Sequence, residues 1–457
     1  MSELRPNADS AFPLAIITSY FDFNKNPWMY ENTRYCVNRW REAGAFVILV
    51  EFALHNETYA YAIQEGHVTI SEHPSLISDV VVGIHVDDIM WYKEVAVNVG
   101  LRYVPKKCNL IGWFDNDIVF AESPSQRHDA QNSWIWQLQE TFKMNPSLSL
   151  VQPFCDLART TESIRTELFE QKVASDESIL MSQEDKPCDD LNKNMSKKET
   201  IALSLANAVE KCKEYARISK SVIAMNRRGK DGSMLGVTGC AWVARARTLK
   251  TMKLFSHTMV GGGDDLHLNL WLGTTTSNGL RGINTNQQRW YFGERQDAKN
   301  AGLRHILARY RKKMQSVMSL PAKLGCLPFT LVHIFHGELE NKSIAQQRYE
   351  YLIQREFRAS SHIQLHPTVQ DCYAWSDSFR ESSLQADMKI SLERSQSVRE
   401  KVLLRVAKMQ RFLYETQQNV EDLLKMEATT IMQGEDVHQN LSTVLRNCLK
   451  TVENVVI

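Results

Sequence analysis

Residues 112–120, with the sequence GWFDNDIVF, decide how the rest of the chain is interpreted. An apolar strand ends here, Asp115 and Asp117 follow with one residue between them, and a second short apolar run begins. Because alternate residues of an extended chain share a face, both carboxylates can point the same way. Two carboxylates so close repel each other unless a cation lies between them, and protein-bound Mg²⁺ or Mn²⁺ commonly also binds phosphates. The stretch therefore predicts a metal–diphosphate site, although a loop with two capping aspartates would show the same short pattern.

The composition is that of a globular protein, with 457 residues, 43% hydrophobic and 23% charged. A formal net charge of +1 excludes a global basic field that would draw the chain to nucleic acid. No apolar run approaches the roughly 20 residues that a membrane helix needs, and residues 1–13 lack the apolar segment of a secretory signal. The nine cysteines form no CxxC pair, so they indicate neither a zinc site nor a disulfide framework. We therefore expect a cytoplasmic protein without a membrane span.

The first part of the chain alternates apolar strands with amphipathic helices. Strands are predicted over residues 14–19, 45–52, 76–85 and 110–114, and helices over residues 30–43 and 87–100. This order is typical of an α/β fold with a parallel sheet and right-handed crossovers. In such sheets the ligand crevice lies at the carboxyl ends of the strands, where Ser19, Tyr20 and Glu51 fall. Glu51 could equally be a solvated acid of a loop.

The helix before the Asp pair also carries polar residues that could reach the crevice. Lys93 and Asn98 lie on it, and Lys93 could bind a phosphate. A single lysine on a helix is more often solvated, so both interpretations stay open. Further along, residues 134–142 are predicted to be helical, and residues 148–154 to form a strand. Residues 175–200 are rich in polar residues and are predicted to be a surface insertion that runs into a helix over residues 197–216.

A glycine run followed by two acids forms a second candidate site. Residues 261–263 are three glycines, which allow positive φ and a close approach of a ligand to the backbone. Asp264 and Asp265 then open a predicted helix over residues 266–272. Both could be ordinary helix caps, or one could cap while the other projects into the crevice as a general base.

The C-terminal part adds one more candidate ligand and a helical tail. A short strand over residues 331–335 ends at His336, and imidazole also suits Mn²⁺. From about residue 344 the pattern is mostly helical, with an apolar stripe in residues 393–426. We expect two domains, residues 1–357 and residues 358–457, and the tail could mediate homo-oligomerisation.

Taken together, these motifs resemble those of the GT-A-fold glycosyltransferases, the nucleotide-diphospho-sugar transferase superfamily. The resemblance covers residues 14–355 apart from the insertion. The matching segments, in the family's order, are WYKE with Asn98 at residues 91–98, the strand and DxD at 112–120, VQPF at 151–154, GCAWVAR at 239–245, GGGD at 261–264, and HIFHG with Arg348 and Tyr349 at 333–349. Each motif is short, and their common order carries the resemblance.

The resemblance implies a Rossmann-type, mainly parallel mixed sheet flanked by helices, a C-terminal helical extension, and a metal-dependent hexosyltransferase with Mn²⁺ or Mg²⁺. Asp115 and Asp117 would contact the metal, and His336 rather than His333 would complete its shell. The residues expected to bind the sugar-nucleotide are Ser19, Tyr20, Glu51, Lys93, Asn98, Asp115, Asp117 and Trp242.

The catalytic base follows from the same resemblance. Asp264 matches the position of the base in inverting members, with Asp265 as the alternate. The loop reads Gly-Gly-Gly-Asp-Asp, which is less acidic than in some inverting families. Which aspartate acts, and whether the reaction inverts or retains configuration, therefore stays open. The expected partners are a nucleotide-sugar donor and a glycan or protein acceptor.

Other classes fit the sequence less well. A metal-dependent hydrolase or nucleotidyltransferase could use the same Asp pair, but a nucleotidyltransferase usually has a glycine-rich, basic loop after its first strand. Residues 19–22, Ser-Tyr-Phe-Asp, are neither. A non-catalytic GT-A-like protein that binds glycans or partners is the main alternative. The intact acids Asp115, Asp117 and Asp264 argue against it, although a fold alone does not prove a function.

Overall fold

The computed structural model describes residues 14–23, 25–88, 90–121, 133–169, 197–215, 217–225, 236–258, 263–272, 275–276, 279–280, 304–337, 363–365 and 372–376. The chain divides into two units, Met1–Phe379 and Arg380–Ile457, and every described residue belongs to the first. The predicted C-terminal helical extension, most of the predicted insertion and the predicted domain boundary at residues 357–358 lie outside the described residues, so these stay predictions.

The strands are β1 (Leu14–Tyr20), β2 (Phe46–Leu54), β3 (Gly66–Thr69), β4 (Val80–Val86), β5 (Leu110–Phe114), β6 (Ile118–Phe120), β7 (Leu150–Gln152), β8 (Asp156–Arg159), β9 (Ile218–Lys220), β10 (Ala241–Arg245), β11 (Thr275–Thr276), β12 (Gly279–Leu280), β13 (Leu324–Cys326), β14 (Thr330–His333), β15 (Ile363–Leu365) and β16 (Tyr373–Trp375). The helices are α1 (Met29–Glu42), α2 (Lys93–Gly100), α3 (Trp134–Met144), α4 (Lys197–Glu214), α5 (Val222–Met225), α6 (Ala246–Met252), α7 (Gly263–Trp271) and α8 (Arg304–Val317). Residues 162–169 are also helical.

An eight-stranded mixed sheet forms the centre of the fold, in the order β13-β7-β10-β5-β1-β2-β4-β3. The pairs β1–β2, β1–β5, β2–β4 and β7–β13 are parallel, whereas β10 and β3 run antiparallel to their neighbours. Strands β1 and β5 are buried along almost their whole length, because helices such as α1 and α2 cover the sheet. The predicted α/β class, with a mixed sheet flanked by helices, is confirmed.

A second, four-stranded sheet in the order β6-β14-β8-β9 continues from the first. The chain passes from β5 to β6 through residues 115–117, from β7 to β8 through residues 153–155, and from β13 to β14 through residues 327–329. Strand β14 pairs antiparallel with β6, and His333 is opposite Ile118. The turn that carries the Asp pair therefore lies directly beside the strand that carries His333.

The predicted start of helix α2 was wrong. The helix begins at Lys93 and not at residue 87. Tyr92, just before it, stacks on Phe52 with ring centroids 4.5 Å apart, and its hydroxyl donates to the carbonyl of Asp88 at 2.7 Å. This aromatic packing holds the preceding residues in a non-helical path. Among the described helices, none is both long and apolar enough to cross a bilayer.

Candidate functional site

The Asp pair lies where β5 leaves the central sheet, and both backbones are anchored. The amide of Asp115 donates to the carbonyl of Cys240 at 2.8 Å, and the amide of Ile334 donates to the carbonyl of Asp117 at 2.7 Å. Cys240 has φ +76°, a left-handed conformation that is uncommon for a residue other than glycine. Such backbone strain often occurs at functional sites. The turn is therefore held between β10 on one side and β14 on the other.

Asp117 faces two histidines. Its Oδ2 lies 3.2 Å from Nε2 of His336 and 3.6 Å from Nε2 of His333. Potential ligand atoms of the three residues all lie within 4.8 Å of one another. The other carboxylate oxygen of Asp117, Oδ1, is buried without a hydrogen-bond partner. A buried, unpartnered polar atom is costly, and a bound ion or water is one way to satisfy it.

The donor set of this cluster fits a divalent transition metal. One carboxylate and two imidazoles suit an ion such as Mn²⁺ better than Mg²⁺, which strongly prefers oxygen ligands. His333 was expected to be the less favourable of the two histidines, yet its ring nitrogen also approaches Asp117. Burial is the main cause that lowers the pKa of His333, so its ring is neutral and able to bind a metal.

Polar side chains from several segments fix the backbone that follows β14. Asn26 donates to the carbonyl of His336, and Asn32 donates to the carbonyl of Phe335 at 3.0 Å. Thr160 accepts a hydrogen bond from the amide of Phe335 at 2.7 Å. These contacts hold the histidine-bearing segment in place before any ligand arrives. The sequence analysis missed them, because they join residues from distant parts of the chain.

Asp115 faces a different partner, the buried Lys93. The amino group of Lys93 lies 2.6 Å from Oδ1 of Asp115 and 2.6 Å from Oδ2 of Asp264. Burial by itself would lower the pKa of Lys93, but Asp115, Asp264 and Glu94 outweigh this and hold it well above its ordinary value. Burial raises the pKa of Asp115 to about 6, although Lys93 acts in the opposite direction. A charged lysine thus joins the predicted metal ligand Asp115 to the predicted base Asp264.

Both predicted catalytic aspartates lie in the first turn of α7. Asp264 faces Lys93, and a Cβ atom added to Gly239 would lie 3.0 Å from its Oδ2. Asp265 accepts a hydrogen bond from the Thr238 hydroxyl. Burial is the main cause that raises the pKa of Asp265. Asp264 therefore belongs to the same cluster as Asp115, whereas Asp265 is bound to the loop before β10.

Glu94, which the sequence placed on the helix before the Asp pair, is a further buried acid of this region. Its Oε2 accepts a hydrogen bond from Thr258 at 2.6 Å, and a Cβ atom on Gly263 would lie only 1.8 Å from its Oε1. Burial, followed by the charge of Asp264, raises the pKa of Glu94 to about 7. The glycine run was predicted to allow a close approach of a ligand to the backbone. At Gly263 the group that approaches the backbone is the carboxylate of Glu94. Gly261 and Gly262 lie outside the described residues.

Other residues predicted to bind the sugar-nucleotide make structural contacts. Glu51 accepts hydrogen bonds from the amides of residues 60–62 and so fixes that loop. The side-chain amide of Asn98 both donates to and accepts from the backbone of Leu254, at 2.9 and 2.8 Å. The polar groups of Glu51 and Asn98 are therefore hydrogen-bonded to the protein's own backbone. A direct role in binding a nucleotide stays a prediction for both.

The remaining predicted residues are Ser19, Tyr20 and Trp242. Ser19 and Tyr20 end strand β1, and Tyr20 is buried with its ring edge-on to Tyr61 at 4.9 Å. Trp242 is fully buried, and its indole nitrogen donates to the carbonyl of Thr238 at 2.8 Å. It packs in the core below the site, so it supports the loop that holds Asp265.

No protein-family model matches the chain, and no curated protein matches it. The candidate site therefore depends on its own geometry: a carboxylate with two histidines, beside a lysine that bridges two further carboxylates.

Proposed function

We propose that this chain is a metal-dependent glycosyltransferase that moves a sugar from a nucleotide-diphospho-sugar donor to an acceptor hydroxyl. The observation that carries the proposal is the juxtaposition of two clusters at the end of β5. Asp117, His333 and His336 form a group that could hold a cation, and Asp115, Lys93 and Asp264 lie beside it. In such a sugar transfer, a cation neutralises the diphosphate that leaves and a base takes the proton of the acceptor hydroxyl, so the two have to lie close together.

Asp117, His333 and His336 would hold the metal, with Asp115 as the neighbouring acid of the DxD pair. When bound, Mn²⁺ would act as a Lewis acid that neutralises the departing diphosphate. The unpartnered Oδ1 of Asp117 supports this assignment, because a bound cation would satisfy it. The two imidazoles favour Mn²⁺ over Mg²⁺.

We assign the role of general base to Asp264. Its carboxylate would accept the proton of the acceptor hydroxyl, whose oxygen attacks the anomeric carbon as the bond to the diphosphate breaks. Lys93 orients Asp264 through the 2.6 Å contact with its Oδ2. Asp265 is less suited to the role, because it is bound to Thr238 in the loop before β10, whereas Asp264 lies beside Asp115 through Lys93. A positioned base contributes about 10²- to 10⁴-fold to the rate of such a step.

The proposal is tested by incubating the protein with a panel of nucleotide-diphospho-sugars and measuring release of nucleoside diphosphate. We expect release with one donor that requires Mn²⁺ and falls about 10²-fold or more in Asp264→Asn. Glu210→Gln is the matched control, because Glu210 is an exposed acid on α4. Release that persists without metal, or at full rate in Asp264→Asn, would contradict the proposal.

One observation favours the non-catalytic alternative, a protein that binds glycans or partners. Asp264 is already paired with Lys93 and is not a free carboxylate. If the protein binds a sugar-nucleotide with Mn²⁺ but releases no diphosphate with any acceptor, the binding function replaces the transferase.

A further inference from the structure

Two thiols lie close together away from the candidate site. The Sγ atoms of Cys155 and Cys326 are 3.5 Å apart, although the residues are 171 positions apart in the chain. Both residues are half-buried. The other described cysteines are buried: Cys36, Cys108, Cys212, Cys240 and Cys372. Cys155 and Cys326 are therefore the described cysteines that combine a sulfur neighbour with some access to solvent.

The position of this thiol pair in the fold is specific. Cys326 is the last residue of β13, the edge strand of the central sheet, and the chain then crosses to β14. Cys155 ends the crossing from β7 to β8. The amide of Cys155 donates to the carbonyl of Phe329 at 2.9 Å, and the amide of Ser221 donates to the carbonyl of Cys155 at 2.7 Å. The hydrogen bond between Cys155 and Phe329 thus joins two of the described crossings between the sheets, β7–β8 and β13–β14.

We propose that Cys155 and Cys326 form a reversible disulfide by exchange with a low-molecular-weight disulfide such as oxidised glutathione. A disulfide needs the two sulfurs at about 2.05 Å, so they have to approach each other by roughly 1.5 Å from their present separation. Side-chain rotation would have to supply this movement, since backbone hydrogen bonds keep the crossings together.

The reaction proceeds in two exchange steps. The Cys326 thiolate attacks one sulfur of the small disulfide, and one small thiolate leaves. The Cys155 sulfur then attacks the Cys326 sulfur of the mixed disulfide, and the second small thiolate leaves. The leaving thiolates take up the protons that the cysteines release. Two protein thiols are oxidised to one disulfide, and one small disulfide is reduced to two thiols.

The order of attack follows from the surroundings of the two sulfurs. Burial and the hydrogen bond to Cys326 raise the pKa of the Cys155 thiol to about 12. Cys326 accepts that hydrogen bond and lies on an edge strand. Cys326 is therefore the attacking thiol, and Cys155 resolves the mixed disulfide.

The disulfide would connect the crossing that leads into β14, which carries His333, with the crossing that leads into β8. Strands β8 and β14 are paired in parallel. The bond would therefore restrain the second sheet against the first. This inference does not depend on the proposed function, because its test measures thiols and unfolding and not activity.

The test uses the full chain, reduced and then incubated in its native state with oxidised glutathione. The sequence has nine cysteines, and we expect seven free thiols after oxidation and denaturation. Peptide mapping should find the Cys155 and Cys326 peptides joined. The oxidised protein should also unfold at a higher temperature than the reduced protein, and dithiothreitol should reverse this shift.

Cysteine-to-serine variants distinguish the two exchange steps. Cys155→Ser should accumulate one glutathione on Cys326, whereas Cys326→Ser should leave Cys155 unmodified. Cys108→Ser is the matched control, since it removes a buried thiol outside the pair and should still form the disulfide. If the single variants do not fold, the peptide map of the oxidised natural sequence decides alone. A disulfide that involves Cys188 or Cys448 instead, or both thiols still free, would overturn the proposal.

Discussion

Lys93 is a buried cation between two carboxylates, with 9% of its side chain exposed. It lies 2.6 Å from Asp115 and 2.6 Å from Asp264. The lysine therefore compensates acids that burial would otherwise make unfavourable. At the scale of single residues, this one contact links the two aspartates for which the sequence predicted separate roles.

Replacement of Lys93 by Met should destabilise the protein by about 3–5 kcal/mol, because it leaves buried carboxylates without their cation. The free energy of unfolding in urea measures the effect. Lys143→Met is the control: Lys143 has 73% of its side chain exposed and pairs with Glu140 on the surface, so a change within about 0.5 kcal/mol is expected. Equal free energies of unfolding for Lys93→Met and Lys143→Met would show that Lys93 is not the counter-ion of the cluster.

His267 gives a second prediction at the residue scale. Its Nε2 accepts the amide of Phe255 at 2.8 Å, and its Nδ1 donates to the carbonyl of Gly263 at 2.6 Å, so the ring is neutral. Burial lowers its pKa to about 4, below the value of about 6.5 expected in the unfolded chain. The unfolded state therefore binds the proton first, and stability falls as the pH is lowered from about 6.5 towards 4.

Urea denaturation at pH 7 and pH 5 tests this interpretation of His267. His267→Gln should be less stable than the natural sequence at pH 7, because the ring packing is lost. Its loss of stability between the two pH values should be smaller by about 1–2 kcal/mol, since glutamine does not titrate in this range. An unchanged difference would mean that His267 is not held neutral in the folded protein.

At the scale of elements, the N-terminus of α7 packs against α2 through Gly263 and Glu94. A Cβ atom on Gly263 would lie 1.8 Å from the Glu94 carboxylate. Glu94 cannot move freely, because it is buried and hydrogen-bonded to Thr258. The first turn of α7, with Asp264 and Asp265, therefore approaches α2 only because residue 263 is glycine.

Gly263→Ala should accordingly cost about 1–3 kcal/mol of stability, as expected for overpacking. Combining it with Glu94→Ala should restore part of this loss, because the clash is with the Glu94 side chain. A double-mutant cycle in urea measures the coupling between the two positions. Strictly additive effects would show that the two helices do not meet through this pair.

The elements show which parts of the fold local patterns can predict. Strands β1, β2, β4 and β5 were predicted because continuous apolar runs mark strands buried on both faces. Strands β8 and β9 were missed, because they are only four and three residues long and contain polar residues. The contact between Lys93 and Asp264 joins residues 171 positions apart, so no local pattern contains it. The motif acids were predicted, whereas their partners depend on the tertiary fold.

At the scale of the whole molecule, the site exists because the chain crosses from one sheet to the other several times. The crossing from β5 to β6 carries Asp115 and Asp117, and β14, reached from β13, carries His333 to the same place. Helices α2 and α7 add Lys93 and Asp264. A chain with a formal net charge of only +1 thus gathers carboxylates and imidazoles in one region.

This arrangement predicts that the protein binds Mn²⁺ more tightly than Mg²⁺ in the absence of nucleotide. Electron paramagnetic resonance of free Mn²⁺ measures the affinity. His333→Ala and His336→Ala should each weaken binding by about tenfold or more, since even outer-shell partners of metal ligands typically contribute that much. His73→Ala is the control, because His73 is an exposed loop residue. Equal affinity in all three variants would contradict the assignment.

Thermal unfolding with nucleoside diphosphates, with and without Mn²⁺, tests the central claim most directly. A ligand that binds only the folded state stabilises it by about 2.7 kcal/mol at a hundredfold excess over its dissociation constant. The account predicts that one nucleoside diphosphate raises the unfolding temperature only when Mn²⁺ is present, and that Asp117→Asn removes the rise while Glu210→Gln keeps it. If no nucleotide shifts the transition, if the shift occurs without metal, or if it survives in Asp117→Asn, the cluster at the end of β5 is not a metal–diphosphate site.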